Sequence, residues 1–355
     1  MKFGIMNLFP GGEGLADQEV LHQTLEEIAL ADELGFDSVW LAEHHFSRYG
    51  VLGNPLSFGM AVAERTKRII IGTAVLVLPF HDPMRLAEDI AALDVLSGGR
   101  VRIGVGRGYQ PKEFAGFRVS PADSKKRYQE TLDVLRLALT EENWSYDGEI
   151  FQYENMTTYP RPLTPGGPPI LEGTVSPENF VDRGTRGQSI ITSPNFTPLG
   201  LMKKNFDLYR DSMLANGHDL SAHDLPFMQQ VWCGDSEEGL RAAAQATLNY
   251  YQSVGKVLPG SEQAMEAERD YYEKVAKNIE LLTLEQTLTH GGNYGDAARV
   301  ADTISQLRDQ LGINHYIGWL RIPSLDRTEA LRSMEQFATD VIPQFKESPV
   351  PSASV

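Results

Sequence analysis

Eight short apolar runs, each followed by a segment of helical spacing, predict an α/β chain of the (β/α)8 type, a TIM barrel with insertions. Two more observations point the same way. Parallel strands need long crossovers, and helices supply them in nearly every interval. After the first strand comes Phe9-Pro10-Gly11-Gly12-Glu13-Gly14. Its glycines have the wrong spacing for the dinucleotide fingerprint that an open, doubly wound sheet would carry there.

The elements follow in order. Residues 2–8 read as the first strand, and residues 18–34 as an amphipathic helix with Leu21, Leu25, Ile28 and Ala29 at helical spacing. Strand two covers 36–41, and a helix covers 55–65. The β-branched run 69–78 is strand three. Pro83 opens a helix through 96 that Ser97-Gly98-Gly99 stops. Strand four is 101–105, and a helix at 121–139 has Pro121 near its first turn. The Tyr-, Pro- and Gly-rich stretch 144–169 reads as a small hairpin excursion. Strands five and six are 169–172 and 189–192, with helices at 176–186 and 199–215. Strand seven is 227–233, followed by a helix at 236–253 that Ser236 caps, with Glu237 and Glu238 in its first turn. A long polar, acidic insertion at 255–294 reads either as a lid that shields a reactive intermediate or as a surface insertion. A helix at 296–311, strand eight at 315–322 and a last helix at 327–345 complete one barrel domain over 1–345. A disordered tail is expected from 346.

Composition narrows the function. The chain has 355 residues, 41% of them hydrophobic, enough for a large core. A net charge of −16 argues against nucleic acid or an anionic membrane surface as partner. Nothing at the N-terminus reads as a signal peptide, and no apolar stretch reaches membrane-span length. The single cysteine, Cys233, excludes an intrachain disulfide and reads as a buried core residue. A cytoplasmic protein is expected.

The chemistry gathers at strand ends, which a barrel collects on one face. Strand two ends in Glu43-His44-His45, and histidine moves protons near neutral pH. Adjacent histidines point to opposite sides of a strand, and no HExxH or carboxylate-rich set accompanies them, so no metal site is expected. One of the pair reads as a hydrogen-bonded structural group. After strand four, Gly104-Val105-Gly106-Arg107-Gly108-Tyr109 offers glycines for close backbone approach and an arginine fork for a phosphate. By itself it reads equally as a tight turn. After strand five, Ser176 stands at an N-cap position with Pro177 and Asn179 in the first turn, and such a helix start binds anions. Alone it is a capped helix. Together, on adjacent strands of one face, the two can hold one phosphate. His81-Asp82-Pro83 reads as a turn and helix start.

At this point the residues match a family. The chain resembles bacterial luciferase and the wider luciferase-like flavin monooxygenases, above all the catalytic α subunit of luciferase. The resemblance runs from Met1-Lys2-Phe3-Gly4 to about Phe345. It is carried by Gly35-Phe36-Asp37-Ser38-Val39-Trp40-Leu41-Ala42-Glu43-His44-His45-Phe46, Leu52-Gly53-Asn54-Pro55, Gly98-Gly99-Arg100 and Gly104-Val105-Gly106-Arg107-Gly108.

The resemblance implies an (α/β)8 barrel with an insertion between strands seven and eight. It implies reduced FMN and O2 as co-reactants, acting through a C4a-peroxyflavin. It makes His44 the catalytic imidazole and puts Arg107 and Ser176 on the phosphate-binding positions. Asn179 stands where the family has a threonine. Val175 replaces a glutamate whose backbone helps hold the flavin, and Gly106 replaces a cysteine and leaves more room. A non-prolyl cis peptide is expected at Ala74-Val75, under the flavin ring.

The resemblance further implies FMNH2 from a separate flavin reductase, since no NAD(P)H fingerprint is visible. It implies a homodimer through the helices at 55–65 and 83–96, with Ala61, Ala63, Ala87, Ala91 and Ala92 allowing close packing. The small-molecule substrate is expected to be neutral and largely apolar, such as an aldehyde, ketone or polyketide-like compound. An F420-dependent oxidoreductase on the same fold is the alternative, and a non-catalytic flavin-binding partner subunit is the next. A metal hydrolase is the most distant reading.

Overall fold

Apolar, mostly β-branched runs flanked by turn residues give the expected strands, and in chain order they are numbered here as observed. They are β1 (Lys2–Asn7), β2 (Ser38–Leu41), β3 (Ile70–Val77), β4 (Val101–Gly106), β5 (Trp144–Asp147) and β6 (Gln152–Met156). Then come β7 (Ile170–Gly173), β8 (Ser189–Ile191), β9 (Pro226–Cys233), β10 (Asn293–Gly295) and β11 (His315–Trp319). The computed structural model describes residues 1–9, 15–194, 197–258, 273 and 275–346.

The main sheet runs β10-β9-β11-β1-β2-β3-β4-β7-β8, and each of its pairings is parallel. A parallel bridge from Thr192, just past β8, to Phe227 of β9 closes it. The closed ring is thus the eight-stranded barrel that the sequence predicts. β10 is extra. β11 pairs β9 as far as Gln230, and β10 takes over from Val231. The hairpin expected within 144–169 is the antiparallel pair β5–β6.

The helices that cover the barrel before β10 are α1 (Asp17–Leu34), α2 (Pro55–Arg65), α3 (Pro83–Ser97), α4 (Pro111–Phe117), α5 (Ser124–Thr140), α6 (Pro177–Thr185), α7 (Leu199–Ala215) and α8 (Glu237–Val257). Local chemistry sets their ends. Asp82 caps α3 by accepting from the N–H groups of Met84 and Arg85, and Gly98 ends it at φ 71°. Ser236 caps α8 as expected.

Four stretches differ from expectation. The helix expected at 121–139 opens with a separate 3-10 turn, Pro121–Asp123, because the first turn can tighten where N–H groups lack partners. The helix expected at 327–345 is regular only over Arg327–Gln336, then widens into a π turn and ends as a 3-10 turn. Pro343 has no N–H to continue the ladder. Helix α4 was not expected at all. The insertion at 255–294 is partly regular: α8 extends to Val257, and a helix Leu284–His290 leads into β10. Residues 259–272 and 274 of that insertion lie outside the described residues, as do 10–14 of the first turn and the tail from 347.

The core divides by strand face. Ile5, Val39, Leu41, Ile71, Val101 and Ile103 point outward into the layer under the helices. Met6, Leu8, Trp40, Ala42, Leu171, Ile191, Ile317 and Trp319 point inward, where Tyr250 and Tyr251 of α8 join them. Deeper in the barrel, Ser38 Oγ lies 2.8 Å from His315 Nε2 and accepts from Trp40 Nε1 at 2.8 Å. Burial pushes the His315 imidazole down to about 3, so it stays neutral there. Cys233 is buried, and its thiol is pushed up to about 12 by burial. Among the described residues no helix is long and apolar enough to cross a membrane.

Candidate active site

Strand β2 delivers Glu43, His44 and His45 to the C-terminal rim of the barrel, and a closed loop fixes them. The His44 N–H donates to the Leu52 carbonyl at 3.1 Å, and the Val51 N–H to the Phe9 carbonyl at 2.9 Å. Gly50 makes that closure possible, since a Cβ there would meet the Leu8 carbonyl oxygen at 2.7 Å and His44 Cβ at 3.1 Å.

The two histidines have different partners. His45 Nε2 lies 2.9 Å from Glu43 Oε1, and its ring meets Phe117 edge-on at 4.6 Å. His81 Nε2 lies 2.9 Å from the same Glu43 oxygen, and the Val77 N–H donates to Glu43 Oε2 at 3.0 Å. Burial alone would raise the Glu43 pKa. The hydrogen bonds from His45, His81 and the Val77 N–H, with the His81 charge, overcome burial and hold it down to about 2. His81 is burdened by burial but raised by its bond to Glu43. Glu43 thus ties His45 and β2 to the loop after β3.

His44 belongs to another network. Its Nδ1 lies 3.2 Å from Glu113 Oε1 and 3.0 Å from Gln110 Nε2. The same Glu113 oxygen accepts from the His45 N–H at 2.9 Å. Glu113 is buried on α4, and the His44 side chain is 13% exposed. A second aromatic, Tyr49, meets the His44 ring edge-on at 4.6 Å.

The ends of β3, β4 and β7 form the next part of the rim. The peptide between Ala74 and Val75 is cis, and both residues are half-buried in the middle of a strand. Glycines surround it. A Cβ on Gly104 would meet the Thr73 carbonyl oxygen at 2.1 Å, and one on Gly106 would meet Val75 Cγ2 at 2.5 Å. The room expected from Gly106 is thus taken by the Val75 side chain. Arg107 follows, half-buried, and Val105 pairs with Glu172 of β7 in register. Arg107 and the Thr174–Ser176 turn therefore leave adjacent strands at one level.

Ser176 holds the N-cap position of α6 in extended backbone, but no side chain caps that helix. The N–H groups of Asn179 and Phe180 turn back to the Ser176 carbonyl. Val175 is exposed, and Ser176 and Asn179 are half-buried. Just before this turn the buried Glu172 carboxylate lies within ion-pair distance of Arg136, Arg183 and Arg186 and accepts from the Tyr128 hydroxyl at 3.0 Å. That network anchors α6 to its strand and to α5.

Three structural corrections concern the other motifs. Gly98-Gly99-Arg100 lies at the far end of β4 from the rim. Arg100 donates there to the carbonyls of Ala63, Thr66, Ile69 and Ser97, so this motif carries fold rather than chemistry. Ala63, Ala87 and Ala91 are buried in the chain's own core, leaving Ala61 and Ala92 of the five expected contact alanines partly accessible. Sequence reading missed Glu113 and Gln110. The available signal was Gln110-Pro111 just past the glycine loop, a helix start with Pro at its first position. Among the described residues no cluster of ligating side chains could hold a metal ion.

A model of the luciferase-like monooxygenase family matches residues 1–315. The chain belongs to that family. Among its relatives, the alkanal monooxygenase alpha chain of the Kryptophanaron alfredi symbiont is 32% identical over 224 residues, 63% of this chain and 62% of that one. This chain thus spans under two thirds of that relative. The oxygenase component of the flavin-dependent trigonelline monooxygenase of Acinetobacter baylyi is 24% identical over 97% of this chain and 96% of its own length. The crystal structure of the monooxygenase RslO1 from Streptomyces bottropensis superposes with a TM-score of 0.83 at 26% identity, covering 97% of this chain and 100% of that one. The fold is shared further, at 19% identity, by the oxygenating constituent of 3,6-diketocamphane monooxygenase from Pseudomonas putida (TM-score 0.78) and by an F420-dependent secondary alcohol dehydrogenase (TM-score 0.75). Within this luciferase-like family the rim described above occupies the end of the barrel where (β/α)8 enzymes carry their chemistry.

Proposed function

We propose that this luciferase-like chain is the oxygenase component of a two-component flavin monooxygenase. It would use FMNH2 from a separate reductase, and O2, to oxidise a neutral, largely apolar small molecule. The single observation that carries the reading is that an imidazole held by a buried carboxylate, His44, and a helix start without a side-chain cap, at Ser176, stand on one rim of one barrel. The trigonelline relative, named as an oxygenase component, supports the division of labour.

The residues present fit FMN. Arg107, the Ser176 hydroxyl and the Glu178 N–H would hold the phosphate, with Asn179 in the same turn and the Val175 main chain beside it. The half-buried Ala74–Val75 segment, flanked by glycines, would support the ring. Bound reduced flavin would supply the electrons that activate O2.

The chain's own task is proton control. With Nδ1 facing the Glu113 carboxylate and the Gln110 amide, His44 would donate its Nδ1 proton to Glu113 and keep Nε2 as a base. Such a positioned acid–base group is worth about 10²–10⁴-fold in rate. Among the described residues the rim shows no basic cluster suited to an acidic substrate. A homodimer through α2 and α3 is part of the proposal, with the exposed Val95 and Leu96 at the end of α3 as its apolar contacts. A cytoplasmic location is proposed from the single buried cysteine.

The test is to mix the protein and photoreduced FMN with oxygenated buffer and follow flavin absorbance. Reoxidation delayed by seconds relative to free reduced FMN, and hastened by a true substrate, supports the reading. Reoxidation at the rate of free flavin, with no affinity for reduced FMN, overturns it. Tight F420 binding in its place would move the chain to the F420-dependent branch of the fold.

A further inference from the structure

We propose that the hydroxyls of Tyr49 and Tyr250 form a substrate anchor that donates a hydrogen bond to the carbonyl oxygen of a neutral, flat-ringed substrate at the barrel mouth. This deepens the monooxygenase reading and rests on it for the reaction that follows binding.

The two phenols come from distant parts of the chain. Tyr49 sits in the loop after β2, five positions past His44, and Tyr250 sits on α8. Their hydroxyls are 2.9 Å apart, and their rings are stacked at 6.0 Å with a 26° tilt. Tyr109, past the glycine loop, interacts with Tyr49, so phenols from two strand-end loops and one helix meet here.

The count of protons makes this a donor site. The bond between the Tyr49 and Tyr250 hydroxyls uses one O–H proton and leaves the other for a partner outside the pair. Buried donors are normally satisfied, which makes the remaining proton of this buried pair a recognition element. Burial pushes the ionisation of Tyr49 and Tyr250 well up, so both remain protonated donors throughout the physiological range. A neutral acceptor oxygen suits them, and a carboxylate would lack a countercharge.

The surroundings specify the rest of the substrate. Trp319 meets Tyr250 edge-on at 4.9 Å, and Ala74, Val75, Val254 and Leu282 pack in the same apolar group. Such faces favour an apolar, ring-bearing partner packed beside them. The Tyr49 ring touches His44, so an oxygen held on the pair lies beside the imidazole.

The probes are 9-fluorenone, a flat neutral ketone, and fluorene, which lacks the oxygen. Binding of each is measured by equilibrium dialysis, without flavin and with oxidised FMN, and the fluorenone carbonyl stretch is read by infrared difference spectroscopy. Wild type is expected to prefer fluorenone by roughly tenfold, with the carbonyl band moved to lower frequency. Tyr49→Phe and Tyr250→Phe should each reduce the preference to within about threefold and restore the free band, while fluorene affinity holds and reports intact folding. Equal affinity for the two probes, absence of fluorenone binding, or a shifted band that survives both substitutions would overturn the anchor. So would tighter binding of N-methylquinolinium, which would make the aromatic group a cation site. Carbonyl preference without FMN affinity would sustain the anchor and overturn the cofactor reading, and FMN affinity without carbonyl preference would do the reverse.

Discussion

The end of β2 and the ends of β4 and β7 share one rim but are wired differently. At β2 the polar side chains satisfy one another: Glu43 holds His45 and His81, and Glu113 holds His44. At α6, beyond β7, the helix opens without a side-chain cap, and its anchoring ions sit on the layer behind, at Glu172. A group that must move protons needs a fixed tautomer before any ligand arrives, so its partners are internal. The proposed anion site takes its partner from outside, because no side chain caps α6. One half of the rim is preset, and the other is left for a ligand.

The contrast can be broken or sharpened by substitution. The largest effect is expected from His44→Ala, which should slow substrate oxidation by about 10²–10⁴-fold while leaving FMN affinity within about threefold, with partial rescue by added imidazole. Turnover and flavin titration check it, and full activity would move the chain to the non-catalytic reading.

Glu43→Gln should act on stability, by roughly 3 kcal/mol, because the amide keeps one acceptor oxygen but loses the charge and the second acceptor that His45, His81 and the Val77 N–H share. Its pH dependence follows from the shifts. The Glu43 carboxyl falls from 4.5 to about 2 on folding, so its contribution is complete above 4.5 and is lost as pH falls toward 2. His81 is raised from 6.5, so its contribution is complete below 6.5 and is lost as pH rises through the folded value. The gap between wild type and variant, measured by urea unfolding, should be widest between pH 4.5 and 6.5.

Arg107→Ala should weaken FMN by about 10–100-fold and leave riboflavin, which has no phosphate, unchanged. Equal losses for both flavins would remove Arg107 from the phosphate site. The smallest effect is expected from Glu113→Gln, about tenfold in kcat with an altered pH profile and little change in FMN affinity. An unchanged profile would show that Glu113 only supports the loop.

The eight barrel strands were legible because inward and outward apolar positions alternate and the punctuation is strong, as at Ser97-Gly98-Gly99 and Asp82-Pro83. The histidine pair was legible because it directly follows a strand, at the barrel end that collects chemistry. Glu113 was not, because a lone glutamate on a seven-residue helix looks like any surface charge until α4 folds against β2. The dimer alanines misled for a related reason. Small residues on a helix pack equally well against a partner or against the chain's own barrel, and three of the five face inward.

The sequence by itself determined the order of strands and helices, the histidine pair, the arginine and the helix start, since each depends on neighbours within a few positions. Only the tertiary structure decided which histidine pairs with Glu43 and which with Glu113, what fills the space beside Gly106, and that Tyr49 and Tyr250 meet 201 positions apart in the chain. Barrel closure brings such residues together, and no local periodicity encodes which side chains then share a hydrogen bond.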